Sequence, residues 1–197
     1  MDTPRYHRRS VRLQGYDYSQ AGAYFVTVCA KDRVCLFGEV VDGEMVLNTA
    51  GNIVDECWRA IPVHFEHAAL DTFVVMPDHV HGIIVIADVG ARHAVPLQPP
   101  DHIERFGQPI PGSIPTIVRS FKSAATRRIH EMRDSPGATL WQHNYYEHVI
   151  RGEESLRRIE RYIVENPGRW ALDRENPDAE GNPKGDERMV DGEDEEV

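Results

Sequence analysis

The first strong hydrophobic run is Ala23-Tyr24-Phe25-Val26-Thr27-Val28-Cys29, dense in β-branched and aromatic residues, which predicts a buried strand. Next, Glu39 to Leu47 sets Asp42-Gly43 between two short apolar runs, a strong hairpin signal. The period then changes. Ile53, Val54, Cys57, Trp58 and Ile61 share one helical face, and Asn48 or Thr49 stands where the first amides need a cap. Leu70 to Met76 and His79 to Ile86 predict two more strands around a Met-Pro-Asp turn. Ile83-Ile84-Val85-Ile86 is apolar on both faces, so this strand should be central in its sheet.

From Ala87 to Pro115 the periodicity vanishes, and Pro96, Pro99, Pro100, Pro109, Pro111 and Pro115 predict a long exposed loop. A helix follows from about Thr116 to Met132, with Ile117, Val118, Phe121, Ala124, Ala125 and Ile129 inward. Leu140 to Ile150 reads as extended, and Glu153 to Asn166 as a helix stopped by Pro167. Strands, helix, two strands, helix, strand, helix is the order of an α+β domain, one antiparallel sheet with helices packed on a face. The domain is expected over 23–172, after a basic arm at 1–22. Residues 173–197 are Gly, Pro and acid with almost no apolar side chains, and should be disordered.

A chain of 197 residues fits one domain with a sizeable core. No apolar run approaches the roughly 20 residues of a membrane helix, and the opening MDTPRYHRRS lacks a signal-peptide core, so the expected location is cytoplasmic. Cys29, Cys35 and Cys57 are odd in number and hold no C-x-x-C, which argues against a disulfide framework or a thiolate zinc cluster. Buried, inert thiols are expected. The net charge of −10 looks wrong for a nucleic-acid partner until its distribution is read. Residues 173–197 hold 11 acids and 3 bases, which leaves 21 acids and 19 bases elsewhere. The remainder is nearly neutral, with basic clusters at Arg5, Arg8, Arg9 and Arg12 and from Arg119 to Arg133, so local patches can meet phosphate.

His79-Val80-His81 opens the central strand. Side chains two apart share a face, about 6–7 Å apart along the chain, a workable separation for two ligands of one metal ion. A pair of polar residues leaving a turn is the plain alternative. Tyr162 and Asn166 are four apart on the last helix and share a face, beside the core stripe of Leu156, Ile159 and Ile163. Alone, they read as a Tyr at the core edge and an Asn ending a helix before Pro. Together the two elements make a coherent device. Two neutral imidazoles and an amide oxygen bind a divalent ion with positions open for phosphate oxygens. Tyr162 can then attack phosphorus and form a phosphotyrosine.

The segment Phe73 to Ile83, with Met76-Pro77-Asp78-His79-Val80-His81 inside it, resembles the MP-(D/E)-H-x-H strand of the REP-associated and other insertion-sequence tyrosine transposases. Arg119-Ser120-Phe121-Lys122-Ser123 resembles their F/Y-K-S helix. Leu140-Trp141-Gln142 and Tyr145 to Arg151 resemble their W-Q and Y-(D/E)-H-x-(I/L)-R stretch, and Tyr162-Ile163 with Asn166-Pro167 their closing Y-I-x-x-N-P. The features keep the family's order across residues 23 to 170. The resemblance implies a ferredoxin-like HUH fold, His79, His81 and Asn166 as metal ligands, Tyr162 as nucleophile, and Mg²⁺ or Mn²⁺ as cofactor. It also implies single-stranded DNA with hairpins or palindromic repeats as partner. The proline-rich loop and acidic tail depart from shorter members, which leaves DNA docking and a homodimer open.

Arg119, Lys122, Trp141, Gln142, His148 and Arg151 are candidate DNA contacts. Lys122 and Arg119 share a helix face, and Trp141 suits stacking on an unpaired base, against the alternative of a core Trp. His148 suits phosphate orientation or proton transfer, against an ordinary strand histidine. Tyr145 and Tyr146 are rival nucleophiles whose side chains face opposite ways. His64 and His67 read as surface residues. Rival functions are a rolling-circle initiator or relaxase, a catalytically silent domesticated transposase regulating through DNA binding, and a metal hydrolase of small phosphoesters.

Overall fold

The computed structural model describes residues 16–87, 110–134, 137–172 and 176. Arg5, Arg8, Arg9 and Arg12, residues 88–109 of the proline-rich loop, and the acidic tail apart from Asn176 lie outside the described residues. Strand β1 (Gly22–Cys29) leads to the hairpin of β2 (Gly38–Val41) and β3 (Glu44–Leu47), then α1 (Thr49–Arg59) and the short α2 (Ile61–His64). Strands β4 (Ala68–Val75) and β5 (His79–Ile86) precede α3 (Ile114–Arg133), β6 (Tyr146–Ile150) and α4 (Glu153–Arg169). The main sheet runs β4-β5-β1-β6, antiparallel throughout, with β5 inside as its two apolar faces require.

Register decides what meets what. On β1, Cys29 lies opposite His79, Thr27 opposite His81 and Phe25 opposite Ile83. On its other side Thr27 pairs with Tyr146 and Phe25 with His148. Alternation then splits the side chains between two cores. Tyr24, Val26, Val28, Val80 and Ile84 join Trp58, Ile117, Phe121 and Trp141 beneath α1 and α3. Phe25, Ile83 and Ile150 join Ile159 and Ile163 beneath α4. The expectation of helices on a face is thus corrected to helices on both faces, because β1 and β5 are apolar on both sides and each side needs cover.

Local chemistry accounts for the element ends. Asp42 and Gly43 both take left-handed φ, 52° and 80°, the primed turn whose twist suits a two-residue hairpin. That hairpin forms its own two-stranded sheet. Asn48 Oδ1 accepts the Gly51 amide at 3.0 Å and caps α1. Helix α3 starts at Ile114 rather than Thr116, since Pro115 fits a first turn whose N–H groups have no helical partner. Within 140–150 only Tyr146–Ile150 pairs as a strand, with Trp141 in an isolated bridge to Ala30.

One helix boundary and one expectation of burial are corrected. Pro167 does not stop α4, which continues to Arg169 and a 3-10 turn at Trp170–Leu172. The proline forfeits the bond to the Ile163 carbonyl, and burial of Trp170 offsets the loss. Among the described residues, Tyr16 and Tyr18 ahead of β1 also pack against the core. Tyr18 is buried, 4.9 Å from Tyr16 and 6.1 Å from Tyr24 between ring centroids. The three cysteines are thiols, but only Cys57 is buried. Cys29 is half-buried, and Cys35 is exposed because its segment joins no strand.

Candidate functional site

The turn at Met76, Pro77 and Asp78 fixes where β5 begins. Met76 N–H donates to the His79 carbonyl at 2.8 Å, Ala30 N–H to the Asp78 carbonyl at 2.7 Å, and Phe37 N–H to the Pro77 carbonyl at 2.9 Å. Both imidazoles that follow are buried on the α4 face, with ring centroids 4.3 Å apart and planes at 69°. That is closer than strand spacing alone predicts, because the rings lean toward each other.

Each ring is held by its Nδ1. His79 Nδ1 lies 2.5 Å from Asp78 Oδ1. His81 Nδ1 lies 2.8 Å from Thr27 Oγ1. Burial, then the charges of His79 and Arg33, push the His81 pKa well below its ordinary value, so this ring is neutral near pH 7. Asp78 is fully buried, and its second oxygen lies 3.5 Å from the Arg33 guanidinium.

Helix α4 crosses directly over this pair. Tyr162 Oη is 3.2 Å from His81 Nε2, with ring centroids 5.2 Å apart. Phe25 stacks on His81 at 5.4 Å and meets Tyr162 edge-on at 6.1 Å. Trp170, two turns further along the same face, sits 5.9 Å from His79. Asn166 is buried between these two aromatic residues on that face. Tyr162 itself is 39 % exposed, and its ring meets His81 and Phe25. Among the described residues no trio of His, Cys, Asp and Glu is gathered for a metal. A divalent ion here would rest on the two Nε2 atoms, the Asn166 amide, and oxygens brought by substrate or water. This donor set fits such an ion, because both Nδ1 atoms are already occupied and His81 is neutral.

The other candidates are dispersed. Tyr146 lies on the site face, 6.2 Å from Phe25, whereas Tyr145 packs on the opposite side near Lys122. His148 is half-buried on β6 opposite Phe25, and Arg151 is exposed beyond that strand. Lys122 donates to the carbonyls of Gln142 at 2.9 Å, Asn144 at 3.2 Å and His143 at 3.5 Å, and burial lowers its pKa to about 8. Trp141 is buried between Phe37 and Phe121 and donates Nε1–H to the Lys122 carbonyl at 3.1 Å. No ring face of Trp141 is open for a base, so it is the core Trp of the two readings. Gln142 is tied into this joint, its N–H donating to the Cys29 carbonyl at 2.9 Å. Arg119 and Arg127 are exposed along an open cleft of 750 Å³ on α3, which Lys122 and, at its far end, the acids Glu131 and Asp134 also line. That cleft lies on the far side of the sheet from the histidines. His64 is exposed, and His67 Nε2 lies 2.8 Å from the Gly112 carbonyl.

Sequence reasoning passed over Phe25, Thr27, Asp78 and Trp170. Asp78 was legible as the neighbour of His79. Thr27 and Phe25 carry no local signal, because only the β1–β5 register brings them to His81.

No family model matches the chain. It is 42 % identical over 175 residues to an uncharacterized protein of Haemophilus influenzae, across 85 % of this chain and 92 % of that protein, and belongs to one family with it. A second Haemophilus influenzae protein, named "Putative REP-associated tyrosine transposase", is 22 % identical over 77 % of this chain and 73 % of its own length. Among solved structures, a REP-associated tyrosine transposase bound to a REP hairpin superposes with a TM-score of 0.51 at 20 % identity, over 77 % of this chain and 70 % of that one. The chain resembles the REP-associated tyrosine transposases in sequence and in fold. At its candidate site a partly exposed phenol meets two buried imidazoles. Among the described residues no helix is long and apolar enough to cross a membrane.

Proposed function

We propose that this transposase-like protein cleaves and rejoins single-stranded, hairpin-bearing DNA through a 5′-phosphotyrosine at Tyr162. One observation carries the reading: Tyr162 Oη stands 3.2 Å from His81 Nε2, at the open end of a buried histidine pair. A divalent ion on His79, His81 and Asn166 would supply Lewis-acid polarisation of the scissile phosphate. Of Mg²⁺ and Mn²⁺, imidazole nitrogens favour the softer Mn²⁺.

The chain's own residues account for the rest. Helix α4 aims the phenol, and Phe25 packs against both its ring and His81, so the nucleophile is held before substrate arrives. The Tyr162 oxygen forms a bond to phosphorus as the bond from phosphorus to the 3′ oxygen breaks. The phenolic proton passes to solvent beside the partly exposed Tyr162, and the departing 3′ oxygen takes up a proton. The phosphodiester energy stays in the tyrosyl ester, so the 3′ hydroxyl of another strand can reverse the step. Arg119 and Arg127 on the α3 cleft supply phosphate contacts beyond the reacting centre.

The test is a labelled hairpin oligonucleotide with a single-stranded flank, incubated with the protein and Mn²⁺. A protease-sensitive covalent adduct is expected from the wild type and none from Tyr162→Phe. Hairpin binding without an adduct under either metal would favour the silent DNA-binding module. Phosphoester turnover that survives Tyr162→Phe would favour a hydrolase.

A further inference from the structure

We infer that Asp78 and Thr27 are the positioning residues of the histidine pair, each holding one ring by Nδ1 so that both present Nε2 as the ligand atom. The inference rests on the proposed metal role of His79 and His81 and adds what makes those rings competent. A neutral imidazole carries one N–H, and the partner of one nitrogen decides which nitrogen keeps its lone pair. Asp78 Oδ1 at 2.5 Å takes the His79 Nδ1–H, and Thr27 Oγ1 at 2.8 Å takes that of His81. Nε2 of His81 is then an acceptor, which the Tyr162 hydroxyl meets at 3.2 Å.

The support behind Asp78 is itself fixed. The side chain is fully buried, its backbone carbonyl is held by Ala30 N–H, and its second oxygen faces Arg33 at 3.5 Å. Arg33 reaches back through a turn in which Asp32 and Arg33 both have left-handed φ, 55° and 56°. Two successive non-glycine residues in that region are strained, and such strain persists where the surroundings enforce it. Here it places the guanidinium against both Asp78 and the Cys29 sulfur, 3.1 Å away. The two supports are unequal. His79 leans on a fully buried carboxyl group at 2.5 Å that is itself backed by Arg33, whereas His81 leans on a hydroxyl at 2.8 Å. Loss of Asp78 should therefore weaken metal binding more than loss of Thr27.

The full chain is examined by two measurements. In ¹⁵N NMR of the metal-free wild type, both rings should be protonated at Nδ1 and bare at Nε2. An Nε2–H tautomer in either ring overturns the inference, whether or not any variant folds. Electron paramagnetic resonance of unbound Mn²⁺ then gives affinity. Asp78→Asn should weaken Mn²⁺ binding by about 10–100-fold and Thr27→Val by less, in variants whose melting temperature stays near the wild type. If His79→Ala abolishes binding while Asp78→Asn binds like wild type, the positioning role is wrong and the metal reading stands. If His79→Ala binds Mn²⁺ as the wild type does, the metal reading fails and takes this inference with it.

Discussion

Gly82, the residue after His81, gives a direct test of how the sheet is packed behind the site. Its side-chain position faces α1, away from the histidines. A methyl group there would overlap Trp58 Cζ2 and stand 2.9 Å from Phe73 Cβ and 3.0 Å from Trp58 Cε2. Trp58 is fully buried, 5.0 Å from Phe121 and 6.0 Å from Phe73 between ring centroids, so it has little room to withdraw. Overpacking of this kind costs about 1–3 kcal/mol. Because the backbone is an ordinary strand, replacing glycine also stabilises by about 0.4–1 kcal/mol through the unfolded chain. Gly82→Ala should therefore lose about 1–2 kcal/mol, which in a domain of this size lowers the melting temperature by roughly 2–8 °C. Urea and thermal melts of the wild type, Gly82→Ala, Trp58→Phe and the double variant provide the assay. The smaller ring lacks the overlapped atoms, so the double variant should be more stable than the sum of the single losses by at least about 0.5 kcal/mol. A Gly82→Ala protein as stable as wild type, or strict additivity in the cycle, would refute the reasoning.

Substituting alanine for His79 or His81 should abolish adduct formation while hairpin binding is largely retained, as gel shift alongside the cleavage assay would report. Binding that falls in step with cleavage would mean that the histidines serve folding. For Lys122, ¹³Cε titration by NMR should give a midpoint near 8, and a midpoint at the ordinary lysine value would contradict its desolvated place beneath 142–144. The linkage sign follows from that depression. Between about 8 and the unfolded value near 10.4, the unfolded chain binds more protons, so this lysine makes stability rise with pH across that window. Lys122→Met should loosen the joint between α3 and β6, visible as faster amide exchange at residues 142–145 at a fixed pH, and unchanged exchange would contradict the pin.

Local signals determined a good deal by themselves. The run from Ala23 to Cys29, the Asp42-Gly43 turn, the Asn48 cap and the doubly apolar Ile83 to Ile86 each encode an element through nearest neighbours, so they were legible without knowing what packs where. His79-Val80-His81 and the Tyr162–Asn166 spacing also set, through period alone, that each pair shares a face. Periodicity could not say that the two faces look at each other. That depended on α4 crossing the second side of the sheet, while α1 and α3 took the first. Nor could it say that Thr27, 54 residues away in the chain, would hold His81, because register is a property of paired strands and not of either one. The same limit explains Trp141 and Lys122. Their residue types suit DNA, yet Trp141 is buried against Phe37 and Phe121 and Lys122 meets three converging carbonyls, contacts no local pattern shows. Periodicity fixes which way a side chain points along its own element, and only the assembled layers decide what it points at.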